Sequence, residues 1–173
     1  MNRRKVLQNL SMGFGGIVAL PAWANAWTPG KLDQGLALTV AEGDLLTDLS
    51  ETIIPETSTP GAKTLEISKF IKVMISDCYD AKDQERFRKA LARVDEVSGL
   101  IYGKSYQEST KEQKLHLLQG LEMSSDADQK WFFGVVKRLT TQGYTSSEYF
   151  LTNIANFEFA PARFHGCVPV NKA

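Results

Sequence analysis

An all-α fold is predicted, a small bundle of about five helices with an irregular C-terminal tail, preceded by an N-terminal signal helix. Three observations carry this. Apolar residues recur at three- and four-residue steps from about Thr39 to Gln142, the spacing that places them on one face of a helix. Helix-start signals recur between these stripes. No run of alternating apolar and polar residues demands a sheet. With 43% hydrophobic and 23% charged residues the chain can build an ordinary core.

The opening stretch reads as an address. Arg3, Arg4 and Lys5 form a basic head, residues 7–20 a mostly apolar run, and Ala22-Trp23-Ala24 or Ala24-Asn25-Ala26 a small-residue exit. The paired Arg3 and Arg4 resemble a twin-arginine export signal, although Ser or Thr is usual before the arginines and Phe is frequent where Val6 stands. The apolar run is shorter than the roughly 18 residues a membrane span needs. Residues 1–26 are therefore expected to be a signal segment, with an uncleaved, membrane-associating anchor as the alternative. Without them the chain keeps 17 basic and 20 acidic residues, a net charge of −3. No basic face stands out, which argues against nucleic acid as a partner. A periplasmic location is expected.

Residues 27–38, with Pro29, Gly30 and Gly35, read as a linker or arm ahead of a domain at 39–173. Thr39 and Glu42 have capping-box spacing, opening a helix through Leu45, Leu46, Leu49, Ile53 and Ile54 that Pro55 stops. Residues 56–63 are a polar turn around Pro60-Gly61. Ile67, Phe70, Ile71, Met74, Ile75 and Cys78 form the clearest stripe, which predicts burial of Cys78. Asp80 caps a third helix with Phe87, Leu91, Val94, Leu100 and Ile101 inward and Val97 one step off. Ser109 and Glu112 predict a capping box for a fourth helix, through Leu115, Leu118 and Leu121. A fifth runs from about Ala127 to Gln142 with Trp131, Phe132, Val135, Val136 and Leu139 inward and Gly143 as its C-terminal cap. Ser146 to Phe150 adds one further turn. From Thr152 the period is lost, and residues 152–173 are expected to be a partner-binding tail.

The catalytic inventory is thin. With two histidines and two cysteines, the chain lacks the ligand spacing of a structural zinc site, a haem attachment motif and enough cysteines for an iron–sulfur cluster. Neither a nucleophile elbow nor a phosphate loop is present. His116 reads as an exposed helix residue, the acidic run Asp77, Asp80, Asp83 and Glu85 as a solvated face, and Trp131-Phe132-Phe133 as core. His165 and Cys167 stand two apart in an extended stretch, where an imidazole could favour a thiolate, but no third orienting group is identifiable. No catalytic, cofactor or metal residue is assigned. Cys78 and Cys167 leave three outcomes open: an internal bridge, two free thiols, or a disulfide from Cys167 to another chain. The tail residues Phe157, Phe159, Phe164, Val168 and Val170 are apolar without a regular element to bury them, so either the tail wraps its own bundle or another subunit covers it.

Three stretches carry a resemblance. They are residues 51–57 (ETIIPET) with Thr59-Pro60-Gly61-Ala62, residues 132–148 ending in Gln142-Gly143-Tyr144-Thr145-Ser146-Ser147-Glu148, and residues 159–169 (FAPARFHGCVP). Together with the signal they resemble the gluconate 2-dehydrogenase subunit 3 family, the small subunits of periplasmic FAD-dependent sugar dehydrogenases. Ala162 departs from the Gly that often follows the tail proline. The resemblance implies a non-catalytic chain. FAD, any iron–sulfur cluster and the sugar pocket would lie in a large subunit, a cytochrome c would accept the electrons, and the twin-arginine translocase would carry the complex out. Tyr144, Phe157, Phe159, Phe164, Cys167, Val168 and Pro169 are the expected interface residues, with Cys167 available for an intersubunit disulfide. The alternative reading is a stand-alone periplasmic helical binding module.

Overall fold

In a computed structural model the described residues are 36–158, and these contain six helices and no strand. They are α1 (Val40–Ile53), α2 (Ile67–Cys78), α3 (Ala81–Tyr102), α4 (Lys111–Glu122), α5 (Ala127–Thr145) and α6 (Glu148–Asn153). The sixth is the short extra turn. The signal segment with Arg3 and Arg4, most of the arm and residues 159–173 lie outside the described residues.

The centre of the bundle is α5, which packs against α1, α2, α3 and α4 and then turns into α6. Its Phe132, Phe133, Val135, Val136 and Leu139 are buried. Around it close Leu45, Leu46 and Leu49 of α1, Ile67, Ile71 and Ile75 of α2, and Phe87, Leu91 and Val94 of α3. Phe87 meets Phe132 with ring centroids 5.0 Å apart. The end of the arm belongs to this core: Leu36 is buried and its N–H donates to the Lys72 carbonyl at 3.1 Å.

Local capping follows the sequence at α1, where Thr39 and Glu42 form a complete capping box, and at α3, where Asp80 accepts from the Asp83 N–H. It departs at α4. The box is Thr110 with Gln113, one residue beyond the predicted Ser109 and Glu112. Two overlapping boxes are written in Ser109-Thr110-Lys111-Glu112-Gln113. Packing selects the second because Ser109 is buried beside Ser98, with hydroxyl oxygens 3.2 Å apart, and donates to the Ser105 carbonyl.

Further departures concern which side chains face inward. Cys78 is exposed, not buried: it is the last residue of α2 and lines an open cleft with Arg138 and Gln142 of α5. Leu100 is 86% exposed and Ile101 is exposed as well. Ser98 faces the core, and at about 100° per residue Leu100 points about 200° away from it. In α4 the buried leucines are Leu117, Leu118 and Leu121, whereas Leu115 is exposed. A strict three-residue step drifts about 60° backwards each time, so Leu115 leaves the stripe that Leu121 occupies. Gly143 does not cap α5, which continues to Thr145. It lies where α2 crosses: a Cβ there would meet Phe70 at 2.8 Å and Ile67 at 3.0 Å.

Candidate functional site

The most constructed surface lies at the C-terminal end of α5, where the connection from α1 to α2 meets α6. Pro55 cannot donate a helical hydrogen bond, so α1 ends and the chain turns outward. Residues 55–58 are exposed, yet their backbone is tied down. One Glu51 carboxylate oxygen accepts from the Glu56 N–H at 2.8 Å and the other from the Lys63 N–H at 2.8 Å, so a single side chain holds both ends of the loop. The Ala62 N–H donates to the Ile54 carbonyl at 3.0 Å, and Ala62 is buried. The Thr64 hydroxyl donates to the Glu56 carboxylate. Gly61 fits because it has no side chain: a Cβ would stand 2.6 Å from both the Glu51 carboxylate and the Glu56 nitrogen.

Tyr144 joins this loop to the end of the bundle. Its hydroxyl donates to the Pro60 carbonyl at 3.2 Å, and its ring meets Phe150 edge-on with centroids 6.1 Å apart. Ser147 caps α6 by accepting from the Phe150 N–H, and Leu65 shares a shallow cleft with Tyr149 and Thr152 of that helix. The chain then turns back, the Phe157 N–H donating to the Leu151 carbonyl at 2.7 Å. Ile154 and Phe157 are exposed. Loop, helix end and Phe157 therefore form one continuous face.

The opposite end of α5 is built from charge. A groove of about 570 Å³ between α3 and the start of α5 is open to solvent. Arg86 pairs with Asp128 at 2.6 Å and lies over the Trp131 ring, 4.3 Å from its centroid. Arg93 pairs with Asp126 at 3.4 Å. Both arginines of this groove therefore have carboxylate partners. Among the described residues no group of three or more His, Cys, Asp or Glu side chains stands together to hold a metal ion.

A polar cluster inside the bundle is structural in its connections. Tyr106 is fully buried, and its hydroxyl donates to the Thr52 hydroxyl at 3.0 Å while its N–H donates to Asp95. Lys114 pairs with Asp48 at 2.8 Å close to the Tyr106 ring. Burial pushes the Tyr106 phenol up to about 12. His116 is exposed and shares a hydrogen bond with the Tyr102 hydroxyl at 2.8 Å, as a surface helix residue would.

Of the predicted interface residues, Tyr144 and Phe157 are brought to the same end of the molecule; Phe159, Phe164, Cys167, Val168 and Pro169, with His165, lie outside the described residues. The sequence reading gave Gly61 only the centre of a polar turn, and Glu51 only a place in the stretch that carries the family resemblance. The available signal was the position of Glu51 just before Ile-Ile-Pro and of Gly61 at the turn centre, but nothing in the sequence says that a carboxylate at 51 reaches the amides of both 56 and 63.

This arrangement defines a class: a small all-α domain whose most organised surface is a fixed loop beside a helix end, not an enclosed pocket. The chain belongs to the gluconate 2-dehydrogenase subunit 3 family, whose sequence profile matches residues 41–166. The matched span begins at the second residue of α1, takes in the other five helices and runs into the tail. The family name denotes a subunit, and so implies association with the other subunits of a dehydrogenase complex. No curated protein and no solved structure matches the chain.

Proposed function

We propose that this chain is the non-catalytic small subunit of a periplasmic FAD-dependent, GMC-type sugar or sugar-derivative dehydrogenase, and that it supports folding, assembly and twin-arginine export of the flavin-bearing large subunit. The observation that carries this is the family match over residues 41–166. A solvent-facing loop whose backbone is held by Glu51 and Tyr144 is consistent with docking to a protein partner. FAD, and any iron–sulfur cluster, is assigned to the large subunit, with a cytochrome c as electron acceptor. Arg3 and Arg4 then export two proteins, one of them lacking an address of its own, and the small chain must grip its cofactor-loaded partner before translocation.

The test is co-expression with the large chain, followed by an absorbance spectrum of what this chain brings down. A flavin spectrum and a second, heavier polypeptide are expected. A colourless monomer from cells that also make the large chain would sink the proposal. Deleting residues 157–173 is expected to abolish association while helical circular dichroism persists. Replacing Arg3 and Arg4 together by Lys is expected to strand both chains in the cytoplasm; a large subunit that still reached the periplasm would carry its own signal. On a non-reducing gel of the complex, a linked heavier band that Cys167→Ser removes is expected, and a monomer band alone would count against an intersubunit disulfide.

A further inference from the structure

We infer that the loop at residues 55–60, exposed at 55–58 and fixed by Glu51 and Tyr144 beside α6, is a second docking element for the large subunit, independent of the tail. This inference rests on the subunit assignment above. Exposed loops of small polar residues ordinarily have backbone freedom that binding must remove. Here that freedom is already gone. Both ends are held by one carboxylate, the carbonyl of Pro60 by Tyr144, and the return of the chain by buried Ala62. Within the tip the Thr57 N–H donates to the Thr59 carbonyl at 3.0 Å. Nothing in the loop's own packing requires so firm a hold on Pro55, Glu56, Thr57 and Ser58, which face solvent. A pre-ordered, solvent-facing loop on a rigid helical base is the arrangement that gives a protein interface affinity without an ordering cost.

The face to which the loop belongs says what covers it. It is continuous, through Tyr144 and α6, with exposed Ile154 and Phe157, from which the chain continues into the apolar tail. From Pro55 to Pro60 the loop has one acid and no base, its remaining side chains being hydroxyls and prolines. The partner surface that fits is therefore a weakly charged, partly apolar protein patch. A phosphate, a nucleic acid or an anionic membrane would require cations that this loop lacks. A subunit that grips its partner with this loop and a second element together gains avidity from two weak contacts made by one molecule.

The experiment uses the full chain co-expressed with the large subunit. Ser58→Arg adds bulk and charge at the exposed tip without touching the core. Glu51→Ala releases both ends of the loop. Lys89→Glu serves as the control: this exposed residue lines the charged groove at the other end of α5, where Asp128 is about 24 Å along the helix from Tyr144 at 1.5 Å per residue. Ser58→Arg and Glu51→Ala are each expected to lower recovery of the flavin polypeptide at least tenfold, with the helical signal intact, and Lys89→Glu to leave it unchanged. Wild-type recovery with Ser58→Arg overturns the inference even if Glu51→Ala fails to fold. If the unaltered chain brings down no flavin polypeptide, the subunit assignment fails and the inference falls with it. A dimer of the isolated chain that Ser58→Arg dissolves would give the face to a second copy and equally overturn it.

Discussion

The two ends of α5 are held by different physics. At the N-terminal end the contacts are ion pairs between partly or fully exposed side chains: Arg86 with Asp128 and Arg93 with Asp126. Each has water as a ready substitute, and pairs of this kind are worth about 0–1 kcal/mol. At the C-terminal end the contacts are to main-chain groups. A carboxylate accepts two amides, a phenol donates to a carbonyl, and a glycine lets two helices touch. Such contacts fix a shape, whereas the ion pairs fix little beyond a solvated face. The lesson is that density of charged contacts and fixed shape are separate properties; the docking surface proposed above is the end where side chains are used to hold backbone.

Two glycines of the same helix offer the sharpest way to break this comparison. Gly143→Ala places a methyl within 2.8 Å of Phe70 and 3.0 Å of Ile67. Overpacking of this kind costs about 1–3 kcal/mol, and the midpoint of thermal unfolding is expected to drop by roughly 4–12 °C. Gly134 is exposed with nothing within 4 Å of its virtual Cβ. Gly134→Ala is expected to raise stability by about 0.5–1 kcal/mol, because alanine loses less backbone entropy on helix formation. Equal effects of the same sign, read by chemical denaturation, would erase the distinction between the two ends.

The next effect in size concerns the charged end alone. Arg86→Ala removes an ion pair and a cation over Trp131 and is expected to cost about 1 kcal/mol, while Arg93→Ala costs less. The ion-pair part of both losses should shrink in 1 M salt, where the screening length is about 3 Å. A cost that salt does not reduce would mean that these arginines also hold shape.

The pH dependences are separated by position. Tyr106 has its phenol raised by burial to about 12, above the ordinary value of 10. A raised pKa means that the unfolded chain releases this proton first. The contribution is therefore complete below pH 10 and is lost as pH rises from 10 through about 12. Loss of stability across that window is expected to be blunted in Tyr106→Phe, at the cost of the hydroxyl's bond to Thr52. The smallest expected effect is at Glu42, whose carboxyl is lowered by the Thr39 N–H and hydroxyl it accepts from in the capping box. Its contribution is present above the ordinary value of 4.5 and is lost as pH falls through the lowered one. Because Glu42 lies near the surface, Glu42→Gln is expected to flatten the acid limb of the stability curve only slightly. A steepened limb would contradict the capping role.

Much of the fold was legible from residues 39 to 153. The stripes of α1, α2 and α5, the Thr39 and Asp80 caps and the stop at Pro55 are local features, and local hydrogen bonding and 3.6-residue periodicity act before any tertiary contact forms. The readings that failed have two causes. Cys78, Leu100 and Ile101 fit a periodic pattern in the last turn of a helix, where the stripe continues but the side chain faces solvent; Leu115 sits on a three-residue step that drifts off the buried face of α4. Part of the candidate surface was legible too: Tyr144 and Phe157, named from the sequence as interface candidates, lie at the same end of the bundle, and the Ile-Ile-Pro…Thr-Pro-Gly-Ala run carried the family resemblance. Glu51 was not, because its role spans 12 residues of sequence and depends on the loop folding back over the end of α1.

By itself the sequence determined that this chain is helical, where most of its helices begin and end, and the family to which it belongs. Each of these is written in short-range spacing and residue type. Only the tertiary structure decided which of two adjacent hydroxyls caps α4, that Gly143 is a contact and not a stop, and that Glu51 freezes an exposed loop. Those outcomes depend on which surfaces meet at a few ångströms, and that distance is set by the packing of the whole bundle around α5.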